Sequence, residues 1–277
     1  MHFQELHPSR VLQPYINCIW WYSEGNTVVS TPERAIPDGC CELIFHLGNR
    51  VQRISEKESV LNPRCNFIGP MTRPYLIQSN GKMNMIGVRF YPHTAALFFK
   101  EKLWELRDQV IALDMLWGQS AAELAEQLHS KATASEQVAL LEQFLIQRLA
   151  NQRVSIHPIA QHAIQQIIQQ RGLLDIGKLC QRLRISTRYL ELIFREAVGL
   201  TPKFFSRLIQ FQQTFRHLPQ ARSLTDLAYL SHYTDQSHFI RNCRQLTGLT
   251  PKKFFSTDYP LHDNFTQEDS ISYLYNF

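Results

Sequence analysis

Two groups of side chains stand out for what they could bind. Thr187, Arg188, Glu191 and Arg195 share one stretch at helical spacing, and Gln236, Ser237, His238 and Arg241 share another. An arginine fork donates two hydrogen bonds to guanine O6/N7, a glutamine matches adenine N6/N7, and a carboxylate such as Glu191 accepts from cytosine N4. Arg182, Lys203, Arg207 and Arg244 flank these sets, and together with Arg195 they suit phosphate, which positions a duplex without reading it. Arg241 suits either guanine or phosphate. Glu191 has a competing use, because Arg188 and Arg195 lie within helical pairing distance of it. Each of the others could equally be an ordinary solvated side chain.

Reading base edges requires rods that hold these groups outward. In 187–198 an apolar stripe of Leu190, Ile193, Phe194 and Ala197 leaves the reading groups on the opposite side, and in 236–247 Phe239, Cys243 and Leu246 do the same. A shorter helix precedes each stretch, Ile176–Leu183 and Leu224–Leu230. Asp175 and Ser223 are the expected N-caps of the first helices, and Ser186 and Asp235 of the second. Gly199 and Gly248 sit where a helix end needs a left-handed residue, and Pro202 and Pro251 prevent continuation.

The two segments are one pattern used twice. Gly199/Gly248, Thr201/Thr250 and Pro202/Pro251 coincide at an offset of 49 residues, whereas the upstream parts coincide at 48. Such self-similarity marks a repeated supersecondary unit. Helix, tight turn, helix predicts a helix-turn-helix whose second helix enters the major groove, and two copies could address successive grooves one turn apart. A plain helical bundle with accidental repetition would not also align caps, stops and charge.

Charge agrees. Residues 1–153 carry 15 Lys+Arg and 15 Asp+Glu, 154–260 carry 14 against 6, and 261–277 carry three acids and no bases. The excess of positive charge is confined to one segment, the footprint expected of a polyanion-binding unit. Taken alone it is equally consistent with a solvated basic face.

Residues ~157–257 resemble the DNA-binding domain of the AraC/XylS family of bacterial transcription regulators. The resemblance rests on Leu179-Cys180, Ile185-Ser186, Arg188, Leu190, Phe194-Arg195, Gly199 and Thr201-Pro202. It continues in Leu227-Ala228, Tyr233, Asp235 to Phe239, Arg241, Arg244, Gly248 and Thr250-Pro251. It implies two helix-turn-helix subdomains joined by a connecting helix from Pro202 to about His217. Four positions depart from the family pattern. Arg184 and His232 replace the turn glycines, and so take either a right-handed turn or a left-handed strain of ~1–2 kcal/mol. Cys243 stands for a core phenylalanine, and Gln210 for an arginine of the connecting helix.

The first half reads as strands followed by helices. Asn17–Tyr22, Cys40–Leu47 and Met85–Tyr91 are short, apolar or alternating, and bounded by turn signals such as Pro37-Asp38-Gly39. They predict a sandwich or small barrel of ~90 residues. After Pro92, Thr94 and Ser120 are candidate helix caps. Leu140, Leu141, Phe144, Leu145 and Leu149 form a stripe that packs either within its own domain or against a second protomer. No Gly/Ser/Pro-rich linker divides the halves, so their orientation is expected to be constrained. The stretch from Pro37 to Phe45 together with Gly87–Pro92 resembles the cupin-like amino-terminal domain of one branch of the same family. That resemblance brings no ligand with it. The expected fold class is therefore α+β: a β-rich, cupin-like barrel or sandwich with trailing helices in 1–153 as an effector-binding or dimerisation unit. An all-α double helix-turn-helix follows in 154–260, and an acidic tail in 261–277.

Trp20, Trp21, Phe45, Arg89 and Tyr91 could line an apolar pocket in which Arg89 anchors an acidic effector. On the alternative reading the aromatics are core and Arg89 pairs with an acid such as Glu42. His46 and His93 lack the tight spacing of a cupin-type metal enzyme. The adjacent Cys40-Cys41 leaves open a thiol or soft-metal sensor attached to the DNA-binding domain. No Gly-x-Ser-x-Gly elbow, phosphate loop or dinucleotide motif occurs, and no metal or cofactor is called for. No apolar run reaches the ~18 residues of a membrane span, the amino terminus is unlike a signal peptide, and six irregularly spaced cysteines suit a reducing cytoplasm. The expected partners are double-stranded DNA, a small-molecule effector or none, a second copy of the chain, and RNA polymerase for an activator.

Overall fold

Strand alternation sorts the amino-terminal half into layers. The computed structural model describes residues 2–23, 32–55, 58–79, 81–151 and 155–257, so the acidic tail 261–277 and the 153/154 boundary lie outside the described residues. The strands are β1 (His2–Leu6), β2 (Ile16–Ser23), β3 (Glu33–Ala35), β4 (Glu42–His46), β5 (Val51–Ile54), β6 (Ser59–Leu61), β7 (Cys65–Ile68), β8 (Tyr75–Ser79), β9 (Asn84–Phe90) and β10 (Val110–Ala112). They form two open antiparallel sheets, ordered β1-β2-β9-β4-β7-β10 and β3-β8-β5-β6. The arrangement is a sandwich, with no closed barrel among the described residues.

The larger sheet buries both faces. Ile19, Leu43, Phe45, Ile86, Val88 and Phe90 point to one side, where they pack on α1 (Leu113–Trp117), α2 (Gln119–Ser130) and α3 (Ala134–Ala150). Cys18, Trp20, Tyr22 and Met85 point to the other, toward Val51 and Ile77 of the smaller sheet. Successive strand residues take opposite faces, so one run of sequence supplies both layers. Gly87 is the close approach: a Cβ there would sit 2.1 Å from the Trp20 ring.

Two helix starts differ from the sequence expectation. Thr94 opens only a single 3-10 turn, Ala95–Leu97, because its hydroxyl is spent on the carbonyls of Tyr15 and Tyr91. Ser120 is not a cap. α2 begins at Gln119 after Gly118 (φ 64°), and the Ser120 hydroxyl donates to the Trp117 carbonyl at 2.8 Å. α3 is set by a capping box between Thr133 and Glu136. Its whole leucine and phenylalanine stripe packs into the core shared with the larger sheet, within the same chain.

The carboxyl-terminal helices are α4 (Pro158–Gln169), α5 (Ile176–Leu183), α6 (Thr187–Val198), α7 (Pro202–His217), α8 (Leu224–Leu230), α9 (Gln236–Thr247) and α10 (Pro251–Phe254). α4 had no separate sequence signal, yet it contributes Ala160, Ala163, Ile164, Ile167 and Ile168 to the core. α7 runs through the middle, packing on α4, α6, α8 and α9. Among the described residues, no helix is long and apolar enough to cross a membrane.

Candidate nucleic-acid interface and the cavity beside it

The four anticipated caps make their bonds. Asp175 accepts from Lys178 N at 3.0 Å, Ser186 from Tyr189 N at 3.1 Å, Ser223 from Asp226 N at 3.0 Å and Asp235 from His238 N at 2.7 Å. Gly199 (φ 76°) and Gly248 (φ 73°) end α6 and α9 in the left-handed conformation. The turns between the helices are left-handed as well, at Arg184 (φ 53°) and His232 (φ 59°), so the strained alternative holds at both. Gln210 braces the second turn: it is buried, and its amide donates to the carbonyls of Ser231 (3.2 Å) and His232 (3.0 Å). The side chain standing where the family has an arginine is therefore a structural strut. Cys243 is fully buried against Thr247 and the Leu249 carbonyl.

These caps and struts fix the outward faces. On α6, Leu190, Ile193 and Phe194 are buried while Thr187, Arg188, Glu191 and Arg195 are exposed. On α9, Phe239, Cys243 and Leu246 are buried while Gln236, Ser237 and Arg241 are exposed. His238 is half-buried, its ring edge-on to Tyr233 at 5.2 Å. Arg182, Lys203 and Arg244 are exposed. Arg207 is half-buried and donates to Gln245 Oε1 at 3.1 Å, which leaves it less free to meet a phosphate. Leu192, 55% exposed one turn beyond Arg188, escaped the polar reading of this face, although an apolar side chain there suits a thymine methyl.

The amino-terminal half touches this unit directly. The Arg195 guanidinium lies 5.2 Å from the centre of the Trp104 ring. Arg34 donates to the Thr247 carbonyl at 3.0 Å, and Gln212 of α7 donates to the Asp38 carbonyl at 3.1 Å. A Cβ on Gly39 (φ 89°) would fall 2.8 Å from the Phe205 ring.

Between the two sheets and α7 lies a cavity of about 170 Å³. Its walls are largely apolar and aromatic, with Phe3, Trp20, Tyr22 and Tyr75 from the sheets and Phe215 and Gln212 from α7. Of the residues anticipated as a pocket, Trp20 and Arg89 line it. Trp21 and Phe45 do not, because alternation turns them to the helix side of the larger sheet, and Tyr91 lies beyond the end of β9. Arg89 is not an open anchor. It is buried, pairs with Asp38, and reaches Glu42 Oε1 at 3.3 Å. The pairing with an acid was foreseen, but Asp38 as the second partner was not, since it comes from the loop before β4.

Burial governs the titrating groups around the cavity. It pushes Glu42 up to about 7 despite the opposing pull of Arg89, and pushes His46 and His93 down to about 4. Cys40 and Cys41 are both buried with their thiols pushed well up, which keeps them protonated and poorly nucleophilic. Among the described residues, no three His, Cys, Asp or Glu side chains converge as metal ligands.

Comparison with known proteins places two families on the chain. Residues 179–257 match the family described as "Helix-turn-helix domain", and residues 4–112 match a "Domain of unknown function", DUF6597. A curated relative, the "Regulatory protein ada" of Salmonella typhimurium, is 24% identical over 88 residues, which is 32% of this chain and 25% of the relative's length. The chain thus spans about a quarter of that protein. Among solved structures, ToxT from Vibrio cholerae aligns over 92% of this chain and 98% of its own, with a TM-score of 0.48 and 11% identity. A second ToxT structure, bound to (E)-4-(8-methylnaphthalen-1-yl)but-3-enoic acid, aligns over 92% and 99%, with a TM-score of 0.47 and 11% identity.

Proposed function

We propose that the chain is a DNA-binding transcription regulator of the AraC/XylS type, a reading supported by its helix-turn-helix match and its curated relative, and that it reads its operator through α6 and α9. Residues 154–260 form the DNA-binding unit, and residues 1–153 bias it. The observation that carries this reading is the pair of capped helices whose outward faces hold Arg188 and Gln236 in the open while their apolar stripes are buried. Thr187, Arg188, Glu191 and Leu192 take base edges in one half-site, and Gln236, Ser237, His238 and Arg241 in the other. Arg182, Arg195, Lys203, Arg207 and Arg244 meet phosphates.

Modulation enters through the cavity. Its wall includes Gln212 and Phe215 of α7, the helix that packs on both α6 and α9. A molecule held there touches the DNA-binding unit directly, and can shift the balance of conformations by as much as its affinity differs between them.

The test is base discrimination. Genome-wide mapping of bound sites supplies the operator. Arg188→Ala and Gln236→Ala are then compared with the parent on operator and scrambled DNA in a salt-controlled mobility-shift assay. Each substitution should cost about 1–3 kcal/mol on the operator, roughly 5- to 150-fold, with nonspecific affinity nearly unchanged. Equal losses on both DNAs would refute the base-reading role.

A further inference from the structure

The cavity between the sheets is charged in a direction the sequence did not suggest. Its titrating walls hold three carboxyl groups, Glu33, Asp38 and Glu42, against two arginines, Arg34 and Arg89. Arg89 is already paired with Asp38 and Glu42, and Arg34 donates to the Thr247 carbonyl. A ligand carboxylate would add a fourth acid where the buried cation is engaged, which is costly in a site removed from water. Glu42 holds its proton up to about 7, and an ammonium group beside it would favour the ionised carboxylate and offset the surplus negative charge that then results. The Asp38 side chain is 29% exposed, so the cavity has an edge at which such a group stays partly hydrated.

A second observation points to a ligand atom. His46 is 1% exposed, lines the cavity, and has no hydrogen-bond partner at Nδ1 among the described residues. Its tautomer follows from its neighbour. Asn66 Nδ2 lies 3.3 Å from the Pro63 carbonyl, which only accepts, so this atom is the amide nitrogen and donates to His46 Nε2 at 3.3 Å. The neutral ring therefore carries its proton on Nδ1, a buried donor in want of an acceptor. The space sets the size: a cavity of ~150 Å³ holds benzene, and this one is about 170 Å³ with an aromatic lining.

From these features we infer that the cavity binds a single-ring aromatic amine bearing an oxygen substituent. The ring lies among Trp20, Tyr22 and Phe215, the oxygen accepts from His46, and the ammonium faces Asp38 and Glu42. The effect of such a ligand on DNA binding rests on the regulator reading given above, whereas the binding itself does not.

The experiment uses the full chain with tyramine, phenethylamine and 4-hydroxyphenylacetate as probes, read by calorimetry and thermal shift. Tyramine should bind and raise the melting temperature, and phenethylamine, lacking the oxygen, should bind about tenfold more weakly. The carboxylate should bind no better than buffer. Asp38→Asn should weaken tyramine at least fivefold, and His46→Phe should bring its affinity down to that of phenethylamine. Binding of the carboxylate as tight as tyramine, or no binding by either amine, would overturn the inference. A mobility-shift assay with and without tyramine separates the two readings: binding without any change on DNA leaves the ligand class standing and removes the coupling. Absence of operator binding both with and without tyramine removes the regulator reading alone.

Discussion

The guanidinium of Arg195, on the outward side of α6, lies over the indole of Trp104, 5.2 Å from its centre. A side chain suited to phosphate is thus engaged by the amino-terminal half of the same chain. Two partners compete for one cation, and the intramolecular one has to yield when DNA arrives.

Removing that competitor should show in the salt dependence. A cation over an exposed aromatic face is worth about 0.5–1 kcal/mol. Trp104→Ala should therefore raise affinity for nonspecific DNA about two- to fivefold. It should also steepen the slope of log affinity against log salt by roughly 0.9, the release of one more counterion. Titrations at several salt concentrations measure both. An unchanged slope would mean that Arg195 keeps Trp104 in the complex or never reaches a phosphate.

The left-handed turns carry a removable cost. Arg184 and His232 are exposed, non-glycine residues at φ 53° and 59°. A left-handed residue with a Cβ costs about 1–2 kcal/mol, and glycine's greater unfolded-state freedom returns part of any gain. Arg184→Gly and His232→Gly should each stabilise the chain by up to about 1 kcal/mol, seen as a higher urea midpoint with an unchanged slope. A fall in the midpoint at either site would show that the side chain contributes more than its backbone strain removes.

Glu42 predicts a pH signature. Burial raises its folded-state value to about 7; Arg89, Asp38 and Glu5 act on it, and Cys18, Cys40, Cys41 and Tyr75 feel it. An unfolded glutamate titrates near ~4.3, so between there and about 7 the native state holds a proton that the unfolded state has released. The stability associated with this proton is full below the unfolded value and is lost as pH rises through the window. Glu42→Gln fixes the neutral form. Its stability relative to the parent should be near zero at pH 4, rise across the window, and level off above pH 7 at roughly 3–4 kcal/mol. Taking the difference cancels His46 and His93, lowered to about 4, whose contribution runs the other way and is lost as pH falls. A flat difference curve would place Glu42 ionised throughout.

Some of this molecule was legible residue by residue. α5, α6, α8 and α9 occupy the ranges read from the sequence, α7 the range that the family resemblance implied, and Asp175, Ser186, Ser223 and Asp235 cap as expected. The signals that fix them, cap, stripe and terminal glycine, all fall within a dozen or so neighbouring residues. The strands around β2, β4 and β9 were legible for the same reason, but the short β3, β5, β6 and β10 were not.

Only the tertiary structure decided what those strands face. A period of two says that Leu43 and Phe45 share one side of β4 and Glu42 and His46 the other, but the pattern is the same whichever layer covers each side. The helices cover Phe45, and the second sheet and α7 enclose Glu42, His46 and Arg89. The capture of Arg89 by Asp38, the bond from Gln212 to the Asp38 carbonyl, and the stacking of Arg195 on Trp104 join residues 51, 174 and 91 positions apart. No local signal encodes such pairs, because chain separation is irrelevant to the energy of a contact once the layers have closed.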